Sequence, residues 1–217
     1  GSEYDTQYVI DGMPLYDNRS IAFAPAFEND EFEAVNIFTA GLSAEDGRGV
    51  RGVNALDTRR AGNTRSSGDL RYQAGSFGTQ AGSFSQQFRS GRATMAIGAH
   101  GGKTDRYLDP PSLENFTNKG SATGFNARLD WDGTEKERLA LYVRSNRTNF
   151  LVPNDLEQQA AGQRQDRRTS ETGVQAHYQR IFSSRTIATV RGMFRDLTAR
   201  LWSNPESTPV YVDQNRG

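Results

Sequence analysis

Phe125-Asn126-Ala127-Arg128-Leu129-Asp130-Trp131-Asp132 decides the fold: every second residue is apolar, and each one between is polar or charged. A period of two places the sets on opposite faces of a β-strand. The pattern recurs in both directions. Leu139, Leu141 and Val143 alternate with Arg138, Ala140, Tyr142 and Arg144. Leu70, Tyr72 and Ala74 alternate with Asp69, Arg71 and Gln73, and Ala188, Val190, Gly192 and Phe194 with Thr189, Arg191, Met193 and Arg195. No long stretch keeps an apolar period of 3.6 and glycine is spread throughout, so little helix is predicted.

Seven strands are predicted after residue 67, near 68–77, 80–89, 92–101, 122–132, 136–148, 171–182 and 185–199. Each runs roughly 9–14 residues, enough for a tilted strand to cross a bilayer, whereas soluble strands average about 5–6. The links are tight near Gly78, at Ser90-Gly91, at Asp132-Gly133-Thr134-Glu135 and at Ser183-Ser184-Arg185. They are long at 102–121, with Pro110-Pro111, and at about 149–170, through Pro153-Asn154. Apart from the short first link, long and short alternate. A transmembrane barrel does this because one mouth has short turns and the other long loops. Antiparallel order sends 102–121 and 149–170 to one side of the sheet and the turns at 90–91, 133–135 and 183–185 to the other.

Composition narrows the class. With 26 basic and 26 acidic residues there is no cationic excess, which argues against a nucleic-acid partner. The absence of cysteine excludes disulfides, thiolate catalysis and cysteine metal sites. No run of 18 apolar residues exists, so no transmembrane helix is predicted. No signal peptide is present, and Gly1-Ser2 reads as a cloning remnant. With the polar end Asp213-Gln214-Asn215-Arg216-Gly217, both termini are expected to be cut rather than natural. The 12 Phe, 8 Tyr and 2 Trp make the chain too aromatic for ordinary disorder, while 35% hydrophobic residues is thin for a thick core. A β-barrel with a wet interior suits both facts.

The first 65 residues differ. Tyr8-Val9-Ile10 is a short strand running into Asp11-Gly12-Met13-Pro14, and Glu33-Ala34-Val35-Asn36-Ile37-Phe38 is another. Gly41, Gly47, Gly49 and Gly52 then punctuate a loop before Val53-Asn54-Ala55-Leu56. In order, these segments resemble the plug of TonB-dependent outer-membrane receptors. Tyr8 to Leu15 looks like the plug strand that enters an Asp-Gly-x-Pro turn, and Phe32 to Ile37 like the strand that follows. Gly41-Leu42-Ser43-Ala44-Glu45-Asp46-Gly47-Arg48-Gly49 is similar to the later glycine-rich plug loop, and Val53 to Ala61 to the exit into the barrel. Tyr72 to Thr79 resembles the first barrel hairpin, and Thr104 to Asp109 the start of the second outer loop. Two departures stand out. Thr39-Ala40-Gly41 replaces the commoner Arg-Gly-Pro, and polar Asn54 and Asp57 interrupt the last plug strand, which predicts weaker burial there.

The resemblance implies a mainly β fold: an antiparallel meander from a transmembrane β-barrel, preceded by a small mixed plug segment. Residues 1–65 would be the C-terminal part of the plug and 66–217 about seven of the family's roughly 22 strands. It implies outer-membrane localisation, import of an unknown small solute, contact with outer-membrane lipid, and energy from a TonB complex reached through a segment outside this chain. The plug motif would be Asp11, Gly12, Pro14, Gly41, Gly47, Gly49 and Gly52. Arg71, Arg128, Arg144, Arg191 and Arg195, on polar strand faces, would face the lumen, and Tyr72, Trp131, Phe182 and Phe194 would join interfacial girdles. A part-barrel leaves two bare sheet edges, so self-association of the isolated chain is expected.

No residue is nominated as catalytic, cofactor-binding or metal-ligating. Gly98 to Thr104 imitates a phosphate loop, but the required leading glycine is Ile97 and no helix pattern follows. Asp130-Trp131-Asp132-Gly133 with Glu137 lacks calcium-loop spacing and reads as a hairpin. His100 and His177 both fall in strand patterns. The low mean hydropathy of −0.75 keeps an alternative open: a soluble β-sheet module that binds carbohydrate or protein.

Overall fold

The alternating stretches pair into two sheets. The structure, a computed structural model, describes residues 6–15, 32–38, 52–58, 60, 62 and 64–203. Gly41, Gly47 and Gly49, the Thr39-Ala40-Gly41 departure and both chain ends lie outside the described residues.

The small sheet contains β1 (Thr6–Ile10), β2 (Met13–Leu15), β3 (Phe32–Phe38) and β4 (Gly52–Thr58), in the order β2-β1-β4-β3. It is mixed: β1 runs parallel to β4, and the outer pairs are antiparallel. Asp11 and Gly12 form a two-residue hairpin turn with φ of +48° and +75°, the positive-φ pair that matches strand twist. Pro14 follows in β2, an edge strand, where its missing N–H breaks no ladder. The polar interruption of β4 does not weaken its burial. β4 is a central strand, and Val53, Leu56 and Thr58 are buried, because Asn54 and Asp57 occupy half-buried positions between them.

The large sheet has seven strands in consecutive antiparallel order. They are β5 (Ser66–Ala74), β6 (Gln80–Ser90), β7 (Ala93–Thr104), β8 (Gly120–Thr134), β9 (Glu137–Leu151), β10 (Gln165–Ser183) and β11 (Thr186–Ser203). This order sends the long links 105–119 and 152–164 to one end with the 75–79 turn, and 91–92, 135–136 and 184–185 to the other. The long links touch: Phe116 bridges to Asn154, and the Asp105 N–H donates to the Phe77 carbonyl at 2.8 Å.

Two details depart from the sequence reading. β10 begins at Gln165 rather than near 171, since Gln165-Asp166-Arg167-Arg168 is polar on both faces and carries no alternation, yet pairs with β9 and β11. A five-residue helix, α1 (Leu156–Ala160), interrupts the second long link. Asp155 and Gln158 form a reciprocal capping box that holds its first turn.

Register separates the two faces. The row Thr94, Asp130, Ala140, His177 and Arg191 lies on the face that carries the small sheet, here termed the inner face. The rows Ile97, Ala127, Val143, Val174, Phe194 and Met95, Leu129, Leu141, Ala176 lie on the outward face. Trp131, Leu139, Tyr178 and Val190 form the next outward row, and every one of them is exposed. The apolar side of the sheet therefore faces away from the protein, while the inner face buries Arg128, Arg144, Asn146, Thr148, Glu171 and Gln175.

Candidate functional site at the junction of the two sheets

The small sheet meets the large one at the Asp11-Gly12 turn. The turn projects the Asp11 carboxylate toward Thr58, which donates to it from its backbone N–H at 3.1 Å and from its hydroxyl at 2.6 Å. Arg128 of β8 reaches the same place. Its Nη1 donates to Asp11 Oδ2 at 2.9 Å and contacts the Thr58 hydroxyl. Its Nε and Nη2 form a two-pronged pair with Asp130, two residues along the strand, at 2.7 and 2.8 Å. Arg128 is 5% exposed, so its charge depends on these two carboxylates rather than on water.

Apolar contact supports the joint. Ile10, Leu15 and Leu56 of the small sheet form one buried cluster with Tyr142 of β9, and Tyr8 packs against it. Tyr142 pairs directly with Arg128 in the register, so clamp and cluster share a row. On the next row, Arg191 lies against Gly12: a Cβ there would come within 3.0 Å of Arg191 Nη1. Asp11, Gly12, Arg60, Arg128, His177 and Arg191 help line a cavity of about 260 Å³ between the sheets.

A second ionic group lies farther toward the long links. Glu171 accepts from Arg195 Nε at 2.9 Å and pairs with Arg144 Nη2 at 3.3 Å, and both Glu171 and Arg144 are under 5% exposed. All five arginines singled out in the sequence share the inner face, but they do not form one site. Arg128 and Arg191 meet the small sheet, Arg144 and Arg195 flank Glu171, and Arg71 makes an exposed pair with Asp69 at 2.7 Å. Asp11 and Gly12 form the junction turn, and Pro14 and Gly52 lie in strands β2 and β4. Sequence reasoning missed Thr58, Asp130, Tyr142 and Glu171, whose positions alternate like their neighbours.

His100 and His177 lie on β7 and β10 with two strands between them and six residues apart in register, roughly 14 Å across the sheet and about 20 Å along it, too far to share an ion. No group of three metal-ligating side chains occurs among the described residues. Gly98 to Thr104 lies in strand β7, and Asp130 to Gly133 in β8, so neither forms a phosphate or calcium loop.

A scan of protein-family models gives no match, and a search of curated proteins gives none either. Solved structures do match. The siderophore receptor PirA from Pseudomonas aeruginosa aligns over 92% of this chain and 34% of its own, at 13% identity and a TM-score of 0.66. The FrpB iron transporter from Neisseria meningitidis aligns over the same shares, 92% and 34%, at 12% identity and a TM-score of 0.70. FpvA from P. aeruginosa, solved with bound heterologous pyoverdine and iron, aligns over 90% and 36%, at 10% identity and a TM-score of 0.57. These are receptors and a transporter. The chain shares the plug-and-barrel fold of this class and spans about a third of the length of its members.

Proposed function

We propose that this chain is part of a TonB-dependent receptor of the Gram-negative outer membrane, which binds a scarce solute and imports it through a plugged β-barrel. Residues 1–65 then belong to the plug and 66–217 to the first barrel strands, with inner-face residues such as Arg71, Arg128, Arg144, Arg191 and Arg195 lining the lumen. One observation carries the reading: a small mixed sheet is clamped through Asp11 and Thr58 onto buried Arg128, on the polar face of a long-stranded meander. The opposite face, with Phe125, Leu129, Trp131, Leu139, Leu141 and Val143 outward, suits lipid rather than water. It also disfavours the soluble-module alternative, whose core would need that face covered.

The similarity to iron and siderophore receptors supports a ferric chelate as the solute class. Uptake of radiolabelled iron on a panel of siderophores should be compared in cells with and without the parent gene, and with and without TonB. Loss of the same chelate's uptake in both deletions is expected. Uptake that survives TonB deletion would overturn the energy source, and a parent deletion without effect on any chelate would overturn the solute class.

A further inference from the structure

We infer that the cavity between the two sheets binds a small tetrahedral oxyanion, phosphate or sulfate, which pins the small sheet to β11. The site depends on the junction of the sheets and not on the transported solute, so it goes beyond the receptor reading.

The clamp at Arg128 is a closed group. Its guanidinium is taken up by Asp130 through Nε and Nη2 and by Asp11 through Nη1, and Asp11 also accepts twice from Thr58. Two more guanidiniums enter the same cavity of about 260 Å³: Arg60, just past β4, and Arg191 of β11. Both are exposed, and neither forms a hydrogen bond or an ion pair among the described residues. Asp57 lines the cavity as well, but its carboxylate accepts from Asn36 at 3.4 Å and pairs with neither arginine.

His177 marks the sign of the field. Three cations, Arg191, Arg128 and Arg60, act on its imidazole, against one carboxylate, Asp11. Its Nε2 is buried and has no hydrogen-bond partner among the described residues, a condition that buried polar atoms rarely keep.

Position favours a bridging ligand. His177 and Arg191 are direct partners in the ladder, one row from Tyr142 and Gln175 toward the short turns. Gly12 makes room for Arg191: a Cβ there would meet its Nη1 at 3.0 Å, so the guanidinium lies against the turn that carries Asp11. An anion between Arg191 and Arg60 would therefore touch the large sheet, the β1–β2 turn and the exit of β4 together. Each guanidinium fork donates two parallel hydrogen bonds to neighbouring oxygens. Two forks and the imidazole ask for more acceptors than chloride or one carboxylate carries, and a tetrahedral oxyanion supplies four oxygens. At roughly 30 Å³ for each water in the liquid, the cavity also has room for hydration around the anion.

The test uses the full-length parent protein in detergent. Inorganic phosphate binding is measured by titration calorimetry, and unfolding of the small sheet by proteolysis between residues 6 and 58 along a urea series. Phosphate should raise the urea concentration at which cleavage begins, and chloride at matched ionic strength should not. Arg60→Gln and Arg191→Gln should each bind phosphate about tenfold more weakly, as expected for losing a charge-assisted hydrogen bond, and the double variant more weakly than either. His177→Phe should also weaken binding, whereas Arg147→Gln on the outward face should match wild type. Arg191→Lys keeps the charge without the fork and should fall between wild type and Arg191→Gln, which shows that the position tolerates substitution. Equal phosphate binding by wild type and the double variant overturns the inference, as does an equal effect of chloride, which would mark general screening. Membrane fractionation and heat-shifted gel migration separate this result from failure of the receptor reading: a correctly inserted parent that binds no phosphate sinks only the anion pin, and a parent found outside the outer membrane that still binds it sinks only the barrel.

Discussion

Arg128 and Asp11 are 117 residues apart in the chain and form an ion pair at 2.9 Å, the one charged link between the small sheet and the long-stranded one among the described ion pairs. Arg128 is buried, but the side chains of Asp11 and Asp130 are 15% and 28% exposed, so removing Arg128 costs on the order of 1–3 kcal/mol, less than for a fully buried pair. Arg128→Leu removes the cation that Asp11 and Asp130 share. It is expected to lower the stability of the small sheet by that amount while leaving the ladder of the large sheet intact. Urea unfolding of the parent protein in detergent, followed by proteolysis between residues 6 and 58, measures it. Arg128→Lys should fall between, because one ammonium cannot satisfy Asp130 in two-pronged fashion and reach Asp11 as well. A small sheet that unfolds at the same urea concentration in wild type and Arg128→Leu would show that the apolar cluster at Tyr142 alone holds it.

The outward face makes a spectroscopic prediction. The chain has 2 Trp, Trp131 and Trp202, so Trp202→Phe leaves a single reporter in the apolar rows. In bilayers of brominated lipid, Trp131 fluorescence should be blue-shifted and strongly quenched. In Trp131→Phe, the remaining Trp202 lies beside Arg168 at the long-link end of β11, one row past Arg200, and should be quenched less. Equal quenching of the two would place Trp131 and Trp202 at one depth and contradict the register of β8 and β11.

How much of this the sequence reveals depends on which solvents a strand meets. Phe125 to Asp132 was legible because its two faces see apolar surroundings and polar surroundings in turn. Gln165 to Arg168 was not, because that part of β10 is polar on both sides. The arginines show the deeper limit. Asp69-Leu70-Arg71 and Arg128-Leu129-Asp130 are near mirror images, each with an Arg–Asp pair at 2.7 Å two residues apart. The Arg71 side chain is 59% exposed and that of Arg128 6%. What distinguishes them is Asp11 and Thr58 lying over Arg128, placed there by a strand order that no local pattern encodes.

The first long link depends on a residue equally silent in the sequence. Asn118 is 1% exposed, and its Oδ1 accepts from the Tyr107 and Leu108 N–H groups at 3.1 and 2.8 Å. Its Nδ2 donates to the Leu108 carbonyl and to Asn115 Oδ1. Asn118→Ala leaves several buried polar groups unmatched, each at roughly 1–3 kcal/mol. Hydrogen exchange at Leu108 is expected to speed up by at least about tenfold, with cleavage by protease appearing within 105–119. Exchange unchanged from wild type would show that the Phe116–Asn154 bridge, not Asn118, holds the loop.

The isolated 217-residue chain should self-associate in detergent-free buffer. Among the described residues β5 and β11 end the large sheet, and neither has a strand neighbour along its outer side, which leaves a row of N–H and C=O groups open to pairing there. β11 is 18 residues long, which makes it the stronger template for another copy. The outward face adds Leu70, Tyr72, Phe125, Leu129, Trp131, Leu139 and Leu141, all exposed. Burying a large apolar side chain is worth roughly 1.5–3 kcal/mol, so partial burial of this set favours association by on the order of 10 kcal/mol. A symmetric pair can join free edges and cover apolar faces in one step. Detergent competes for the face but not for the edges, so adding it should reduce the assembly to smaller species in steps. Light scattering in buffer alone is expected to report a dimer or larger. A clean monomer there would mean the outward face is covered by the chain itself, which requires a sheet curled the opposite way from the one described.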